Sequence, residues 1–252
     1  MLLYAGDLAH AGTRGFNSRV SRSLDLIERS NREHPPIGVS YSGGKDSTVL
    51  LDLMRQVIPD VPAAFFDCGL ELPSTYRMMD IYNVEVIKTQ RPLIEMLKYG
   101  GYWGHRKEMV DQNAEFDFGA WLIAEPSDYF VREHELQTLA IGLRRDESAG
   151  RRMNAMKRGE LYYCKNDDMW HLCPLTWWTD ADVWAYIRSR RLKYNEAYDK
   201  MEAVGIPRKE QRVSVLLTAA AIGLGRFAWL RQCEPQIFRT LAAEFPQILD
   251  YT

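Results

Sequence analysis

The sequence lacks the features that mark membrane and secreted proteins. No apolar run approaches the roughly 20 residues that a membrane-spanning helix needs. Residues 1–7 contain no basic segment followed by a long apolar core, which is the pattern of a secretory signal. Hydrophobic residues make up 46% of the chain and charged residues 26%, as is usual for a globular protein. We therefore expect a cytoplasmic protein with no membrane association.

Cysteine, histidine and net positive charge are also scarce. The four cysteines (Cys68, Cys164, Cys173 and Cys233) are widely scattered, which does not resemble the disulfide framework of a small secreted domain. The five histidines show no recognisable metal-ligand spacing. A net charge of -2 argues against a dedicated, non-specific DNA-binding protein, although local basic clusters are present.

Short apolar segments alternate with amphipathic ones along most of the chain. Strands are predicted at 37–41, 63–66, 84–87, 137–141 and 170–175, with helices at 18–34, 74–82 and 92–99 and another directly after residue 44. Thr179 followed by Asp182 resembles a capping box and predicts the start of a helix that ends near residue 190. This alternation indicates an α/β domain with a doubly wound, mostly parallel sheet over residues 1–200. Residues 201–252 are predicted to form a helical C-terminal appendage, and residues 100–135 have no clear pattern.

The end of the first strand carries the strongest motif. Ser40 is followed, after one residue, by the glycine-rich segment Ser42-Gly43-Gly44-Lys45-Asp46-Ser47, which leads into a helix. Such a turn exposes backbone N–H groups beside the positive end of the helix dipole, and it therefore suits a phosphate. The two glycines permit the tight backbone path, the lysine neutralises phosphate charge, and the serine hydroxyls donate hydrogen bonds.

An acid in this loop needs a separate explanation. Asp46 follows Lys45, so the segment is not the P-loop of kinases and GTPases. A carboxylate in an anion site is reasonable when it binds a cation, and Mg²⁺ held between carboxylate and phosphates is the natural choice. We therefore expect Asp46 to bind magnesium. The alternative interpretation, a structural turn with a solvated lysine, is less consistent with the strand, loop and helix together.

The loop resembles that of the PP-loop ATP pyrophosphatases, also called adenine nucleotide α-hydrolases. Three further segments resemble the phosphoadenosine phosphosulfate (PAPS) reductase-like branch of that family: 66–71 followed by 75–76, 142–148, and a late segment made of 173–175, 178–179, 182–184 and 194–195. The resemblance covers approximately residues 37–198. It implies that the nucleotide lies across the carboxyl ends of the strands and that ATP is cleaved to AMP and pyrophosphate.

The resemblance also implies which residues form the site. Lys45 and Asp46 are expected to be catalytic. The expected nucleotide- and phosphate-binding residues are Ser40, Ser42, Gly43, Gly44, Lys45, Asp46, Ser47, Asp67, Gly142, Arg144 and Arg145.

The chain departs from the reductases of this branch in its cysteines. True PAPS reductases carry a C-terminal Glu-Cys-Gly-Leu-His segment, and iron–sulfur members carry paired cysteines; neither pattern occurs here. We therefore do not expect an iron–sulfur cluster. The favoured hypothesis is the ATP pyrophosphatase of DNA phosphorothioation, which activates DNA for sulfur insertion with a cysteine desulfurase or another persulfide donor as partner. The alternatives are a PAPS or APS reductase, the small subunit of an ATP sulfurylase, and a non-enzymatic nucleotide-sensing subunit.

One cysteine is a candidate sulfur carrier. Cys68 follows Asp67 at the end of a predicted strand, where the nucleotide is expected. A thiolate near Lys45 should have a lowered pKa and hence higher reactivity. The alternative is that Cys68 merely occupies a turn position that tolerates a small side chain. Cys173 is interpreted as a buried residue within a strand.

Overall fold

The computed structural model describes residues 2–99, 120–213 and 226–251. Two helices come first, α1 at Leu2–Ala11 and α2 at Arg14–Glu33. The hydroxyl oxygen of Thr13 accepts a hydrogen bond from the Phe16 amide at 3.3 Å and so caps the start of α2. The second helix therefore begins four residues before the predicted one.

Six strands form one sheet. They are β1 Ile37–Ser40, β2 Ala63–Asp67, β3 Glu85–Lys88, β4 Thr138–Ile141, β5 Leu161–Cys164 and β6 Met169–Leu172. Their order is β3-β2-β1-β4-β6-β5; β1 is parallel to β2 and β4, β4 is parallel to β6, and β5 is antiparallel to β6. The predicted α/β class and mostly parallel sheet are confirmed.

Two details of the sheet differ from the sequence prediction. The edge strand β5 was not predicted; its residues, Leu-Tyr-Tyr-Cys, are partly or fully exposed and none of them is buried. Strand β6 ends at Leu172, so the placement of Cys173 inside a strand is wrong. Cys173 directly follows the strand and is nevertheless buried, with 3% of its surface exposed.

Along the chain, helices follow most of the strands. They are α3 Lys45–Val57, α4 Pro73–Tyr82, α5 Leu93–Tyr99, α6 Glu125–Glu133, α7 Ala149–Arg158, α8 Asp180–Ser189, α9 Ala197–Ala203, α10 Arg226–Cys233 and α11 Pro235–Glu244. A π-helical turn lies at Ala120–Ala124, and 3₁₀ turns lie at Arg145–Glu147, Arg208–Glu210 and Pro246–Tyr251. None of the helices in the described ranges has the length and apolar character needed to cross a membrane.

The described elements fall into two compact units. The first comprises residues 1–65, 78–85 and 129–195, and the second comprises 66–77, 86–128 and 196–252. The glycine-rich loop and the 142–148 segment both belong to the first unit. The described part of the C-terminal segment is helical, as expected, and belongs to the second unit. Residues 100–119, from the segment without a clear pattern, and 214–225 lie outside the described ranges.

The strand order places a reversal between β1 and β4. From β1 the chain continues to β2 and then β3 on one side, whereas β4 and β6 lie on the other side. Ser40 is aligned with Ile141, so β1 and β4 end at the same level. In open α/β sheets, ligands bind outside the carboxyl ends of the strands at such a reversal.

Candidate functional site

The glycine-rich loop joins β1 to α3 and is stabilised by its own hydroxyl groups. Gly43 has a φ of +69°, a backbone conformation that favours glycine. The Ser42 amide donates to Ser47 Oγ at 3.2 Å, and the two serine hydroxyls lie 3.0 Å apart. Gly44 occupies the N-cap position of α3 and supplies no side-chain cap. These hydrogen bonds therefore stabilise the shape of the loop, while the N-cap glycine of α3 contributes no side-chain acceptor of its own.

The loop after β4 packs directly against this helix start. A Cβ atom built on Gly142 would lie 3.2 Å from the carbonyl carbon of Asp46 and 3.2 Å from the amide nitrogen of Ser47. Any larger residue at position 142 would therefore push the two loops apart. The predicted site residue Gly142 thus has a clear structural role, which is to let the backbones after β1 and β4 come together.

Four charged side chains converge at these strand ends. Lys45 Nζ lies 2.7 Å from Asp46 Oδ2 and 3.2 Å from Asp180 Oδ1. Arg144 Nε lies 2.5 Å from Asp46 Oδ1, and Arg144 Nη2 lies 3.6 Å from Asp180 Oδ1. Lys45 is 1% exposed and Arg144 3% exposed. We call these four residues the charged cluster.

The cluster contains two cations and two carboxylates, and it is therefore formally neutral. Burial raises the pKa of Asp46, but the Coulombic and hydrogen-bonding effects of Lys45 and Arg144 outweigh burial, so the pKa of this carboxyl is lowered overall. The two carboxylates offer the oxygen ligands that Mg²⁺ prefers. If magnesium binds at this site, Asp46 and Asp180 are the residues that would hold it.

One donor of the cluster has no hydrogen-bond acceptor within the described ranges. Arg144 Nη1 is buried, and Asp146 Oδ2 lies 3.7 Å from it, beyond hydrogen-bond distance. A buried guanidinium N–H without an acceptor is costly, since it has lost its water. An anionic oxygen would satisfy it, and this agrees with the phosphate-binding role predicted for Arg144.

The two neighbouring arginines have different environments. Arg144 is buried in the cluster, whereas Arg145 is exposed. The Arg145 guanidinium carbon lies 4.4 Å from the ring centroid of Trp177, in a cation–π contact. Only Arg144 thus belongs to the charged cluster, and the phosphate-binding role of Arg145 stays a prediction.

Sequence analysis missed the aspartate that completes the cluster. Asp180 is the first residue of α8, directly after Thr179. The capping box predicted for Thr179 and Asp182 is confirmed. Asp180, which lies between them, was not predicted as a site residue. An acid in the first helical turn is so common that only the spatial arrangement distinguishes Asp180. Asn195, from one of the segments that carry the family resemblance, donates to the Gly43 carbonyl oxygen at 3.4 Å.

In the second unit, Asp67 organises the turn after β2. Its Oδ1 accepts hydrogen bonds from the Gly69 amide and from the Tyr76 hydroxyl, both at 2.8 Å. Asp67 is 6% exposed. This carboxylate therefore fixes the local backbone, and the nucleotide-binding role assigned to it stays a prediction.

The lowered pKa expected for Cys68 is wrong. Burial and the neighbouring carboxylate of Glu71, with a smaller effect from Asp67, raise the pKa of the Cys68 thiol far above its usual value. The Cys68 sulfur lies 3.3 Å from Glu71 Oε1. The thiol is therefore protonated at neutral pH and a poor nucleophile.

Two further cysteines have raised thiol pKa values. Burial raises the pKa of Cys173 to about 12 and also raises that of Cys233. The thiolate is the nucleophilic form of cysteine. For these two cysteines and for Cys68, the thiolate is therefore less favoured than in an ordinary exposed cysteine.

Comparison with known proteins agrees with the arrangement of loops and strands. Residues 36–241 match the family described as "Phosphoadenosine phosphosulfate reductase domain". The chain is 31% identical over 179 residues to the phosphoadenosine 5'-phosphosulfate reductase of Xanthomonas euvesicatoria pv. vesicatoria (strain 85-10), covering 67% of this chain and 69% of that one. It is 25% identical over 198 residues to the enzyme of the same name from Xylella fastidiosa (strain 9a5c), covering 76% of each.

A solved structure shares the fold. The crystal structure of phosphoadenylyl-sulfate (PAPS) reductase from Candida auris, a phosphate complex, aligns with a TM-score of 0.53 at 18% identity. The alignment covers 70% of this chain and 83% of that one.

Proposed function

The chain belongs to the phosphoadenosine phosphosulfate reductase domain family, and from this premise we propose that it binds ATP with magnesium and cleaves it between the α- and β-phosphates. An acceptor oxygen attacks the α-phosphorus, the bond to pyrophosphate breaks, and the acceptor becomes adenylated. A persulfide sulfur then displaces AMP from the acceptor. A second thiol reduces the resulting S–S bond and releases the donor as a disulfide.

The charged cluster is the observation that carries this proposal. Lys45 and Arg144 are buried cations at the carboxyl ends of neighbouring strands, where they would stabilise negative charge on transferring phosphates. Asp46 and Asp180 balance these cations, so a polyphosphate meets no net positive charge in the cluster itself. A divalent cation that binds the carboxylates restores the attraction, so the cluster suits a metal–nucleotide better than a metal-free sulfonucleotide.

The cysteines support an activating enzyme over a reductase. A reductase of sulfonucleotides needs a thiolate to attack sulfur, and the raised pKa values of Cys68, Cys173 and Cys233 disfavour that form. We therefore propose that sulfur comes directly from a partner, a cysteine desulfurase or another persulfide donor. Cys68 does not relay it.

We propose DNA as the acceptor, with α7 as its contact surface. This helix, all of whose residues are described, has no buried residue and no acidic one. Its basic residues are Arg151, Arg152, Lys157 and Arg158. The helix begins one residue after the 3₁₀ turn that follows Arg144, so it continues from the loop of the charged cluster. Exposed cations of this density suit contacts to a phosphate backbone.

The products of ATP turnover test the proposal. We expect AMP and pyrophosphate in the presence of magnesium, with a rate that rises when DNA is added, as measured by ion-exchange chromatography. ADP and inorganic phosphate as products would overturn it. In cells that supply the partners, Cys68→Ser should still incorporate sulfur into DNA; loss of incorporation with intact ATP cleavage would instead make Cys68 the sulfur carrier.

The relatives' names support a second candidate function, reduction of PAPS. Its products are sulfite and adenosine 3',5'-bisphosphate, formed at the expense of a thiol reductant. Incubation of the protein with PAPS and a reduced dithiol, followed by sulfite detection, measures it. Sulfite release without ATP turnover would favour this function over the first, and loss of that release in a single Cys→Ser variant would identify the attacking thiol.

A further inference from the structure

The β5–β6 hairpin lies at the edge of the sheet, and the proposed function does not involve it. Tyr162 is paired with His171, and Cys164 is paired with Met169. Directly opposed residues point to the same face of an antiparallel pair, as do residues two apart on one strand. Cys164 and His171 are therefore diagonal neighbours on one face of the hairpin, next to the turn that contains Asp167.

Three metal-binding side chains meet there. The Cys164 sulfur, a carboxylate oxygen of Asp167 and a ring nitrogen of His171 all lie within 4.8 Å of one another. His171 Nε2 is 2.9 Å from Asp167 Oδ2. Donor atoms bound to one tetrahedral Zn²⁺ lie about 3.3–3.8 Å apart, given Zn–S near 2.3 Å and Zn–N near 2.0 Å. Small rotations of the side chains would therefore bring the three atoms to ligand spacing.

We propose that Cys164, Asp167 and His171 form a zinc site with water as the fourth ligand. Thiolate, imidazole and carboxylate are the three side-chain types that bind zinc in proteins. No fourth histidine, cysteine or acid from the described ranges joins the group, which leaves one position open to solvent. The ion links the end of β5 to β6 across the turn and so stabilises the edge of the sheet.

The thiol distinguishes this group from an ordinary surface ion pair. His134 Nε2 lies 2.9 Å from Glu85 Oε2, the same chemistry at the same distance, but among the residues that the structure describes this pair has no third donor beside it. His171 is also better covered than Asp167, with side-chain exposures of 13% and 43%. The two hairpin strands therefore carry the partly buried sulfur and nitrogen donors. The Asp167 carboxylate is more exposed to solvent, from which an ion would enter.

Direct metal measurement on the full chain tests this site. We expect the purified protein, after dialysis with zinc and removal of free ion, to retain one Zn²⁺ per chain by elemental analysis. Replacement by Co²⁺ should give the visible bands of a tetrahedral ion and a sulfur charge-transfer band in the near ultraviolet. The charge-transfer band should disappear in Cys164→Ser.

Substitutions separate the zinc site from weak surface binding. Cys164→Ser and His171→Ala should each weaken zinc binding at least tenfold, whereas the matched control His134→Ala should leave it unchanged. If the Cys164 or the His171 variant is unstable, Asp167→Asn provides the same test, because Asp167 is exposed and tolerates substitution. Absence of zinc from the wild-type protein, or full zinc retention in the Cys164 and His171 variants, would overturn the proposal.

Discussion

At the scale of single residues, Lys45 of the glycine-rich loop is a charged side chain that is almost completely buried. A buried ammonium needs nearby carboxylates, since removal from water is costly for an unpaired charge. Asp46 and Asp180 provide them for Lys45. The same carboxylates lie next to Arg144, so each acid stabilises two cations. Under the proposed function, the two acids would also bind magnesium together with the nucleotide.

Substitutions in the cluster should therefore impair catalysis and magnesium use together. We expect Lys45→Ala and Asp180→Asn each to lower ATP turnover by about 10- to 1000-fold, which is about 1.4–4 kcal/mol of transition-state stabilisation. Asp180→Asn should also raise the magnesium concentration needed for half-maximal rate, because one oxygen ligand loses its charge. Steady-state rates at several magnesium concentrations measure both effects.

The matched control is Asp146, an acid of the same region that is more exposed than Asp180. Asp146 lies 3.7 Å from Arg144 and is half-exposed, so Asp146→Asn should change turnover by less than about threefold. An Asp180→Asn variant with wild-type turnover and magnesium dependence would show that Asp180 only pairs with Lys45.

The two arginines after β4 should differ in their effect on nucleotide binding, because Arg144 is buried and Arg145 is exposed. We expect Arg144→Ala to weaken nucleotide binding at least tenfold, or by about 1.4 kcal/mol, because its guanidinium is buried beside Asp46. Arg144→Lys should restore only part of the affinity, since an ammonium lacks the planar fork of donors. Arg145→Ala should weaken nucleotide binding less, because Arg145 is exposed to solvent and its guanidinium lies over the ring of Trp177. Equal losses in both alanine variants, measured by calorimetric titration, would contradict this assignment.

At the scale of elements, the start of α8 connects three helices. Thr179 caps α8, and Asp182 closes the capping box with a 2.7 Å hydrogen bond from the Thr179 amide. The same carboxylate lies 2.8 Å from His10 Nε2 in α1 and 2.6 Å from Arg19 Nη2 in α2. Burial raises the pKa of Asp182, but Arg19, Thr179 and His10 outweigh burial and lower the pKa overall.

This network should make the stability of the fold depend on pH in a defined direction. A carboxyl whose pKa is lowered by folding stabilises the protein above its unfolded pKa of about 3.9, and this stability is lost as pH falls through the lower folded value. Asp182→Asn should therefore cost about 2 kcal/mol of unfolding free energy at pH 7. The difference from wild type should shrink below about pH 4, because the protonated aspartate also lacks charge.

Urea unfolding at pH 7, 5 and 3.5 measures this difference. Asp25→Asn, an exposed acid on α2, is the control and should change stability by less than about 0.5 kcal/mol at every pH. A deficit of Asp182→Asn that stays constant down to pH 3.5 would mean that packing, and not charge, accounts for the role of Asp182.

At the scale of the whole molecule, the sheet reversal and the neutral cluster together determine how a ligand should stabilise the fold. The segments that follow β1, β4 and β6 contribute the four charged residues, so a ligand that binds the cluster connects three strand ends of the first unit. A ligand that binds only the folded state stabilises it in proportion to the logarithm of its concentration over Kd.

We therefore expect MgATP to raise the unfolding temperature and ATP in the presence of a chelator to have little effect. At 100 times Kd the gain is about 2.7 kcal/mol, which corresponds to roughly 5–10 °C for a chain of this size. Differential scanning calorimetry with a slowly hydrolysed ATP analogue measures the shift. Equal stabilisation with and without magnesium would contradict the metal–nucleotide interpretation, and stabilisation by PAPS alone would favour the reductase.

The sequence by itself determined the features that depend on local pattern. Apolar segments of strand length, separated by helical periodicity, were enough to predict the α/β class and most strand positions. The glycine-rich loop was equally predictable, because its chemistry is contained in six consecutive residues, as was the capping box of Thr179 and Asp182. The edge strand β5 was not predicted, since its four residues become a strand through antiparallel pairing with β6 in the folded sheet.

Only the tertiary structure decided which distant side chains share an environment. Asp180 joined the cluster because β6 lies next to β4 in the sheet, which no local pattern encodes. The pKa of Cys68 rose because burial and Glu71 act on it, and both depend on the folded chain. His171 lies near Cys164 because the antiparallel hairpin pairs Cys164 with Met169 and so makes His171, two residues further on, its diagonal neighbour. Charge and reactivity depend on distance and solvent access, and these are fixed only when the chain is folded.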